Sequence, residues 1–372
     1  MFPQSSVSSW KPRLKLPIKS LPANVCEKFL KKQPAAPLES ELFSILKDVS
    51  RSFYLSVRFL PKRIRLTIAL AYLLARASDT IADTNSAAPP SRIEFLAQFL
   101  AQICQGNSGA LPDAGSFIER QAEGSERTLL RNIGPIFRSL ATIPARHREL
   151  VAEVLTKIIR GQTLDIERFE TDPGIHSLRT DSSLEEYTYL VAGSVGEFWT
   201  KVCLLEWRGY SHLPGTMLLK LGKEFGQGLQ LINILRDFPR DLHQGRCYLP
   251  VANPEEVAAK PDVARTEWER WHQRALAYLE AGWEYINAIR PPRVRFACAV
   301  PLFIGLRTLT LLGKEQKFRP GVKIPKGEVK ILMLWAAALA WLPFLKSYVG
   351  WKIVSACRRV GVTACRRNGV TA

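Results

Sequence analysis

Two aspartates stand four residues apart at the end of the apolar stretch ALAYLLARASDTIADT, Ala69–Thr84. They belong to a polar stripe formed by Tyr72, Arg76, Asp79 and Asp83. The spacings of four, three and four place these side chains on one face of a helix. Carboxylates at this spacing repel each other, and the repulsion grows where water is excluded. A bound cation would relieve it.

The same pattern returns in residues 222–250, GKEFGQGLQLINILRDFPRDLHQGRCYLP. Its stripe is Gln230, Asn233, Asp237 and Asp241, at spacings of three, four and four. Leucine and isoleucine side chains cover much of the remaining helix surface. Pro239 lies inside the motif, so we expect it to distort the helix end and leave the alignment of Asp241 open.

Two acidic helices of this kind could face each other across a cavity. Carboxylate and amide oxygens suit Mg²⁺, which prefers to share its coordination with substrate phosphates, whereas Zn²⁺ favours His or Cys. The metal would bridge to a diphosphate and stabilise it as a leaving group. Further charge-assisted hydrogen bonds could come from Arg51, Arg76 and Arg236.

A single DxxxD motif on a helix usually marks a solvated face. Two motifs within apolar helices, each with an arginine and an amide or tyrosine on its stripe, favour a functional site instead. A structural alternative stays open, in which Asp79 and Asp83 pair with arginines across a helical bundle.

Composition limits the possible partners and the cellular setting. The 372 residues are 47% hydrophobic and carry a net charge of +18. This balance favours an anionic partner, which could be nucleic acid, a membrane surface or a phosphorylated substrate. The seven cysteines are an odd number without zinc-like spacing, which predicts reduced thiols and an intracellular setting.

The chain reads as helical almost throughout. Apolar residues recur at intervals of three and four, and no Gly-rich phosphate loop is present. We predict a basic, flexible arm without a secretory signal over residues 1–36 and one all-α catalytic domain over 37–320. The predicted helices span about 40–59, 62–83, 91–105, 144–169, 183–207, 214–238, 263–289 and 293–312.

The remaining segment, 321–372, combines a hydrophobic helix with a short basic tail. Ile331–Leu345 is a run of 15 apolar residues between two lysines. This is short for a bilayer span, so it predicts either a buried helix or one that enters a membrane interface. The tail repeats ACRRVGVT and ACRRNGVT, a pattern too short to build a solenoid.

Four segments resemble the squalene/phytoene synthase family of head-to-head prenyl transferases. In chain order they are SRSFYLSVRFLP (50–61), YLLARASDTIAD (72–83), YTYLVAGSVG (187–196) and QLINILRDFPRDLHQGRCYLP (230–250). The resemblance implies a single all-α isoprenoid-synthase bundle around a central cavity. It also implies an enzyme that uses Mg²⁺.

The resemblance further assigns roles to individual residues. Metal binding at the substrate diphosphates is implied for Asp79, Asp83, Asn233, Asp237 and Asp241. Substrate contacts are implied for Ser50, Arg51, Ser52, Phe53, Tyr72, Arg76, Gln230, Arg236, Arg246 and Tyr248. Tyr187 matches a tyrosine implicated in the cation chemistry of the first condensation, so it joins the four aspartates as a catalytic candidate. In the segment VAGSVG, small residues could pack helices closely or leave room for a prenyl chain.

The amino-acid sequences of the two acidic motifs resemble those of bacterial family members that make squalene. This implies condensation of two farnesyl diphosphates through presqualene diphosphate, followed by reduction with NADPH. The alternatives are phytoene, dehydrosqualene or presqualene diphosphate as the product. A cytoplasmic enzyme that docks peripherally on an anionic membrane is expected, with no nucleic-acid partner; the oligomeric state is left open. A non-catalytic basic helical protein would instead carry lysines and arginines interleaved with aromatics.

Overall fold

Helices make up most of the described chain. The structure is a computed structural model that describes residues 37–105, 114–120, 124–170, 172–315 and 317–342. The predicted N-terminal arm and the repeated basic tail lie outside these residues. The all-α fold class predicted from the sequence is confirmed.

We label the helices in chain order. They are α1 Pro37–Val49, α2 Arg51–Phe59, α3 Lys62–Ala82, α4 Pro89–Gln105, α5 Ala114–Arg120, α6 Ser125–Arg131, α7 Ile133–Leu140, α8 Ala145–Phe169, α9 Asp181–Thr188, α10 Ser194–Glu206, α11 Gly215–His243, α12 Pro254–Ala259, α13 Arg265–Ala288, α14 Pro292–Leu312 and α15 Lys326–Trp341. A π-helical turn, Tyr189–Gly193, separates α9 from α10. A 3₁₀ turn, Pro261–Ala264, precedes α13.

The first predicted helix is divided in two. The sequence predicts a helix over 40–59, whereas the chain leaves helical geometry at Ser50, with φ −157° and ψ 95°. The Ser50 hydroxyl accepts a hydrogen bond from the Phe53 backbone amide over 3.4 Å. This bond caps the new helix α2, because a helix start has backbone amides without partners inside the helix.

Helix α11 continues through Pro239 as far as His243. The predicted end of this helix at residue 238 is therefore too early, and Asp241, whose alignment the sequence left open, lies in the helix. The neighbouring side chains Phe238 and Leu242 are buried, and their packing holds the helix together where proline removes a backbone donor. Asp241 remains on the helix and is itself buried.

Two short strands form the sheet in the described part of the chain. Strand β1, His176–Ser177, follows α8, and strand β2, Arg246–Cys247, follows α11. They pair in parallel with His176 opposite Arg246. Because β2 directly follows the second acidic motif, this pairing ties the end of α11 to the end of α8.

The last two helices pack against each other. Helix α14 is long and apolar enough to cross a membrane, but 67% of its apolar window is buried inside the protein, as expected of a core helix. Helix α15 buries Ala336, Leu339 and Ala340. Its C-terminal end is held by the buried Arg295 of α14, which donates to the Ala340 carbonyl over 2.9 Å.

Candidate active site

The first acidic motif lies at the C-terminal end of α3. Asp79 accepts a hydrogen bond from the Gln162 amide of α8 over 2.5 Å. Its side chain is 46% exposed. Even so, burial and the neighbouring Asp83 raise the pKa of Asp79 to about 6, against smaller effects of Gln162 and Arg76. The Asp79 carboxyl is therefore partly exposed and still desolvated enough to bind its proton more tightly than a free aspartate.

Two other members of the first stripe are held by side chains from neighbouring helices. Arg76 forms an ion pair with Glu126 of α6 and lies 4.0 Å from the Asp79 carboxylate. The ring of Tyr72 stacks on Phe53 of α2, with centroids 4.3 Å apart. The segment that begins at Ser50 is thus brought against the acidic stripe. The side chains of Arg51 and Ser52 lie outside the described residues.

The second acidic motif occupies the last turns of α11. Arg236 donates to both oxygens of Asp237, over 2.9 and 2.6 Å. Arg240 lies 3.4 Å from Asp237 and from Asp241. Burial raises the pKa of Asp241 to about 6, and the charge of Arg240 opposes this rise. Each carboxylate of this motif is therefore balanced by an adjacent arginine.

The amide members of the second stripe lie nearer the start of the motif. Asn233 is exposed and donates to the Gln230 side-chain oxygen over 3.3 Å. The two residues are three positions apart, about one helical turn, so their amides lie together on one face of α11. Both retain polar atoms for a ligand.

Arg246 lies within electrostatic reach of both acidic motifs. Burial raises the pKa of Asp83 and of Asp241, and the positive charge of Arg246 lowers both. The Arg246 guanidinium donates to Asp165 over 3.3 Å and to Glu170 over 2.6 Å, both at the end of α8. The charge of Arg246 therefore acts on a carboxylate of each predicted stripe, while its hydrogen bonds go to the α8 carboxylates.

Asp165 is a site residue that the sequence reasoning missed. One of its oxygens accepts hydrogen bonds from Arg246 and from the Tyr248 hydroxyl, the latter over 3.0 Å. Its other oxygen is buried without a hydrogen-bond partner. Burial raises the pKa of Asp165 to about 6, despite Arg246 and Tyr248. Gln162, Asp165 and Phe169 form a stripe on α8 at spacings of three and four, a signal that could have identified the helix.

Tyr187 is buried beside this group. Its ring stacks on that of Tyr248, with centroids 5.0 Å apart and an interplanar angle of 24°. Burial raises the pKa of Tyr187 well above its usual value, so the hydroxyl is protonated at neutral pH. Tyr189, in contrast, donates to Glu197, and the ammonium groups of Lys157 and Lys223 lie 5.4 and 5.3 Å from the centroid of its ring.

The small residues after Tyr187 pack helices. A Cβ atom added to Gly196 would lie 1.9 Å from the Gly222 carbonyl oxygen of α11. One added to Gly226 would lie 2.2 Å from the Ala192 carbonyl oxygen. Of the two predicted uses of VAGSVG, close helix packing is the one that these contacts support. It brings the π-helical turn beside Tyr187 directly against α11.

The donor set suits a metal that the substrate helps to coordinate. Among the described residues, no group of three or more His, Cys, Asp or Glu side chains is arranged to hold a metal ion alone. Each acidic motif nevertheless offers two carboxylates, and Asp79, Asp83 and Asp241 among them are desolvated. Mg²⁺ is commonly bound by one or two carboxylates together with water and substrate phosphates. The residues present fit such a site.

An all-α fold with arginines and buried tyrosines beside two acidic motifs is compatible with a prenyltransferase-type enzyme of isoprenoid biosynthesis, and the comparisons with known proteins identify that class. The chain belongs to the squalene/phytoene synthase family, whose model matches residues 46–328. The family and enzyme class predicted from the four segments are thereby confirmed.

Similar sequences include fungal enzymes. The squalene synthase of Eremothecium gossypii is 26% identical over 307 residues, covering 78% of this chain and 66% of the relative. That of Saccharomyces cerevisiae is 26% identical over 317 residues, covering 82% and 69% respectively. The chain thus spans about two thirds of the length of these relatives.

Solved structures share the fold. TcSQS in complex with the ligand BPH1237 matches with a TM-score of 0.70 at 20% identity, covering 91% of this chain and 94% of that one. A dehydrosqualene synthase in complex with a ligand matches with a TM-score of 0.55 at 23% identity, covering 83% and 96%.

Proposed function

We propose that the chain is a squalene synthase. It condenses two farnesyl diphosphates head to head through presqualene diphosphate and reduces the intermediate with NADPH as a co-substrate. The observation that carries the proposal is the set of arginines beside the two acidic motifs, with Arg76 4.0 Å from Asp79 and Arg236 and Arg240 2.6 and 3.4 Å from Asp237, since one diphosphate needs several positive groups. The squalene synthase relatives support the choice of product.

The acidic stripes would hold Mg²⁺. Its ligands would come from Asp79, Asp83, Asn233, Asp237 and Asp241. Bound Mg²⁺ would neutralise the diphosphate and stabilise it as it leaves. Around it, Arg76, Arg236 and Arg246 orient the phosphate oxygens through charge-assisted hydrogen bonds. Ser50, Arg51, Ser52 and Gln230 are proposed as further contacts to the substrate.

Aromatic rings protect the allylic cation that forms when diphosphate departs. Bulk water would quench such a cation, so its surroundings must be apolar and closed. Tyr187 and Tyr248 present stacked, buried rings, and Phe53 and Tyr72 form a second stacked pair. The faces of these rings attract a cation through their quadrupoles. We propose that Tyr187 acts in the cation chemistry of the first condensation.

We further propose that the enzyme is cytoplasmic and docks peripherally on an anionic membrane. The substrates and product are lipid-like, and the chain carries a net charge of +18. On α15, Ile331 and Leu334 are 44% and 52% exposed, and Lys326 and Lys330 are exposed beside them. Apolar side chains flanked by lysines suit an anionic membrane surface.

A product assay tests the proposed reaction. Purified protein is incubated with Mg²⁺ and either farnesyl or geranylgeranyl diphosphate, with and without NADPH. The proposal predicts squalene from farnesyl diphosphate only when NADPH is present. A C40 product from geranylgeranyl diphosphate would instead identify a phytoene synthase. Dehydrosqualene or presqualene diphosphate as the final product in the presence of NADPH would show that the enzyme does not carry out the reduction step.

A further inference from the structure

A buried arginine lies directly behind the first acidic motif. Arg92 of α4 is 1% exposed. Its guanidinium donates to the Ala82 carbonyl, the last residue of α3, over 2.6 Å. Asp83 is the next residue along the chain and ends that helix. Arg92 therefore fixes the backbone from which Asp83 projects.

The same guanidinium pairs with Glu170. Arg92 donates to both Glu170 oxygens, and Oε1, which accepts from Arg92 over 3.4 Å, also accepts from Arg246 over 2.6 Å. Glu170 is the residue that ends α8. One carboxylate thus joins two arginines, one behind the first acidic motif and the other in β2 after the second motif.

Arg246, the second arginine bound by Glu170, is held by further contacts. Arg246 also donates to Asp165, and its strand pairs with β1 through the His176 amide and the Gly245 carbonyl, 3.0 Å apart. The positive charge of Arg246 reaches both Asp83 and Asp241. The geometry between Asp83 and Arg246 thus depends on the bridge through Glu170.

We propose that Arg92 and Glu170 are positioning residues that hold Asp83 and Arg246 at the separation needed to bind one metal-bound diphosphate. The inference rests on the proposed function and assigns a role to two residues outside the four sequence motifs. Neither residue needs to touch the substrate. Buried charged groups that orient ligating side chains commonly change affinity when they are altered, because the ligands lose their fixed geometry.

Glu170→Gln tests the bridge directly, because it keeps the side-chain shape and removes the charge. Binding of inorganic pyrophosphate with Mg²⁺ is measured by titration calorimetry on the full chain. We expect affinity to fall by about tenfold or more, in the range seen for outer partners of metal ligands. Raising the Mg²⁺ concentration should recover part of the binding by mass action.

Glu328→Gln is the matched control. Glu328 accepts from Arg307 over 2.6 and 3.1 Å in another ion pair between helices, which joins α14 to α15. This variant loses a similar paired charge, so we expect its thermal stability to change while pyrophosphate affinity stays within about twofold of wild type. Equal losses of affinity in both variants would overturn the positioning role.

Arg92→Lys provides a second variant if Glu170→Gln does not fold. Lysine keeps the positive charge but cannot reach Ala82 and Glu170 through a planar fork. We expect weaker pyrophosphate binding in this variant too. Wild-type affinity in either folded variant would overturn this inference and leave the proposed function standing. Failure of the wild-type protein to bind pyrophosphate with Mg²⁺ would overturn both.

Discussion

Tyr248 links the aromatic part of the site to its acidic part, because it contacts both Tyr187 and Asp165. Its hydroxyl donates to the Asp165 carboxylate over 3.0 Å, and its ring stacks on Tyr187. Arg246, two residues earlier, donates to the same carboxylate oxygen. The segment that follows the second acidic motif, β2 and the next residue, therefore presents a cation and an aromatic ring to the same carboxylate.

Replacing Tyr187 with phenylalanine should separate packing from chemistry. The ring stack on Tyr248 is retained, so Tm should change little. If the hydroxyl acts in the first condensation, kcat should fall by about a hundredfold, as for the loss of a positioned proton donor. Steady-state kinetics with farnesyl diphosphate measures this change.

Tyr210→Phe is the control for the Tyr187 variant. Tyr210 is also buried, and its hydroxyl lies 3.1 Å from that of Tyr285. Loss of this bond should cost about 1 kcal/mol of stability and leave kcat unchanged. Identical kinetics for wild type and Tyr187→Phe would exclude the hydroxyl from the reaction.

The acidic site should make Mg²⁺ stabilisation depend on pH. Burial raises the folded-state pKa of Asp79 and of Asp241 to about 6, from 3.8. The metal-free folded protein then binds more protons than the unfolded chain between about pH 4 and 6, so these groups contribute less stability as pH rises through that window. Mg²⁺ needs ionised carboxylates, so the Tm increase that it causes should be larger near pH 7.5 than near pH 5.

Thermal denaturation with and without Mg²⁺ across this pH range measures the effect. Asp79→Asn should reduce the Mg²⁺-induced increase in Tm at the higher pH. Asp181→Asn provides a control, because Asp181 pairs with Arg270 at the surface. A Tm increase independent of pH would contradict carboxylate binding of the metal.

The crossing of α10 and α11 should not tolerate a methyl group. Gly196→Ala places a Cβ atom 1.9 Å from a backbone carbonyl, which only a shift of the helices can relieve. We expect a loss of about 3 kcal/mol in the free energy of unfolding. Gly134→Ala in α7 is the control, because its Cβ atom would lie 3.7 Å from a flexible arginine side chain. Urea denaturation that shows equal stability for both variants would contradict the close packing.

Membrane docking through α15 should depend on its exposed apolar side chains. Ile331→Ser and Leu334→Ser together should weaken sedimentation with anionic phospholipid vesicles by about tenfold or more, because less apolar area enters the interface. Leu205→Ser alters another exposed leucine, on α10, and should have little effect. Equal vesicle binding by the wild type, the Ile331→Ser/Leu334→Ser double variant and the Leu205→Ser control would count against docking through α15.

The acidic stripes could be predicted because helical spacing is a local property. Asp79 and Asp83 require only the 3.6-residue period and an apolar background, and both are found on or at the end of α3. The break at Ser50 was missed because the residues on both sides favour a helix. Continuity through Pro239 was missed because it depends on the burial of Phe238 and Leu242 by distant helices.

The bridge between the motifs could not be found from the sequence alone. Glu170 and Asp165 contact Arg246 from positions 76 and 81 residues away, so neither pairing is visible in a local window. The stripe on α8 carries a single carboxylate facing the site, a weaker pattern than a pair of aspartates. The role of this carboxylate becomes visible only in the folded protein, where β2 pairs with β1 and Arg246 lies beside it.

The central claim is that the acidic stripes of α3 and α11 bind metal together with one diphosphate. Crystals grown with Mn²⁺ and pyrophosphate test it most directly, because Mn²⁺ substitutes for Mg²⁺ and gives an anomalous signal. We expect anomalous peaks at the carboxylates of Asp79 or Asp83 and of Asp237 or Asp241, with pyrophosphate between the two sets. Pyrophosphate bound elsewhere, or metal at only one of the two helices, would contradict it.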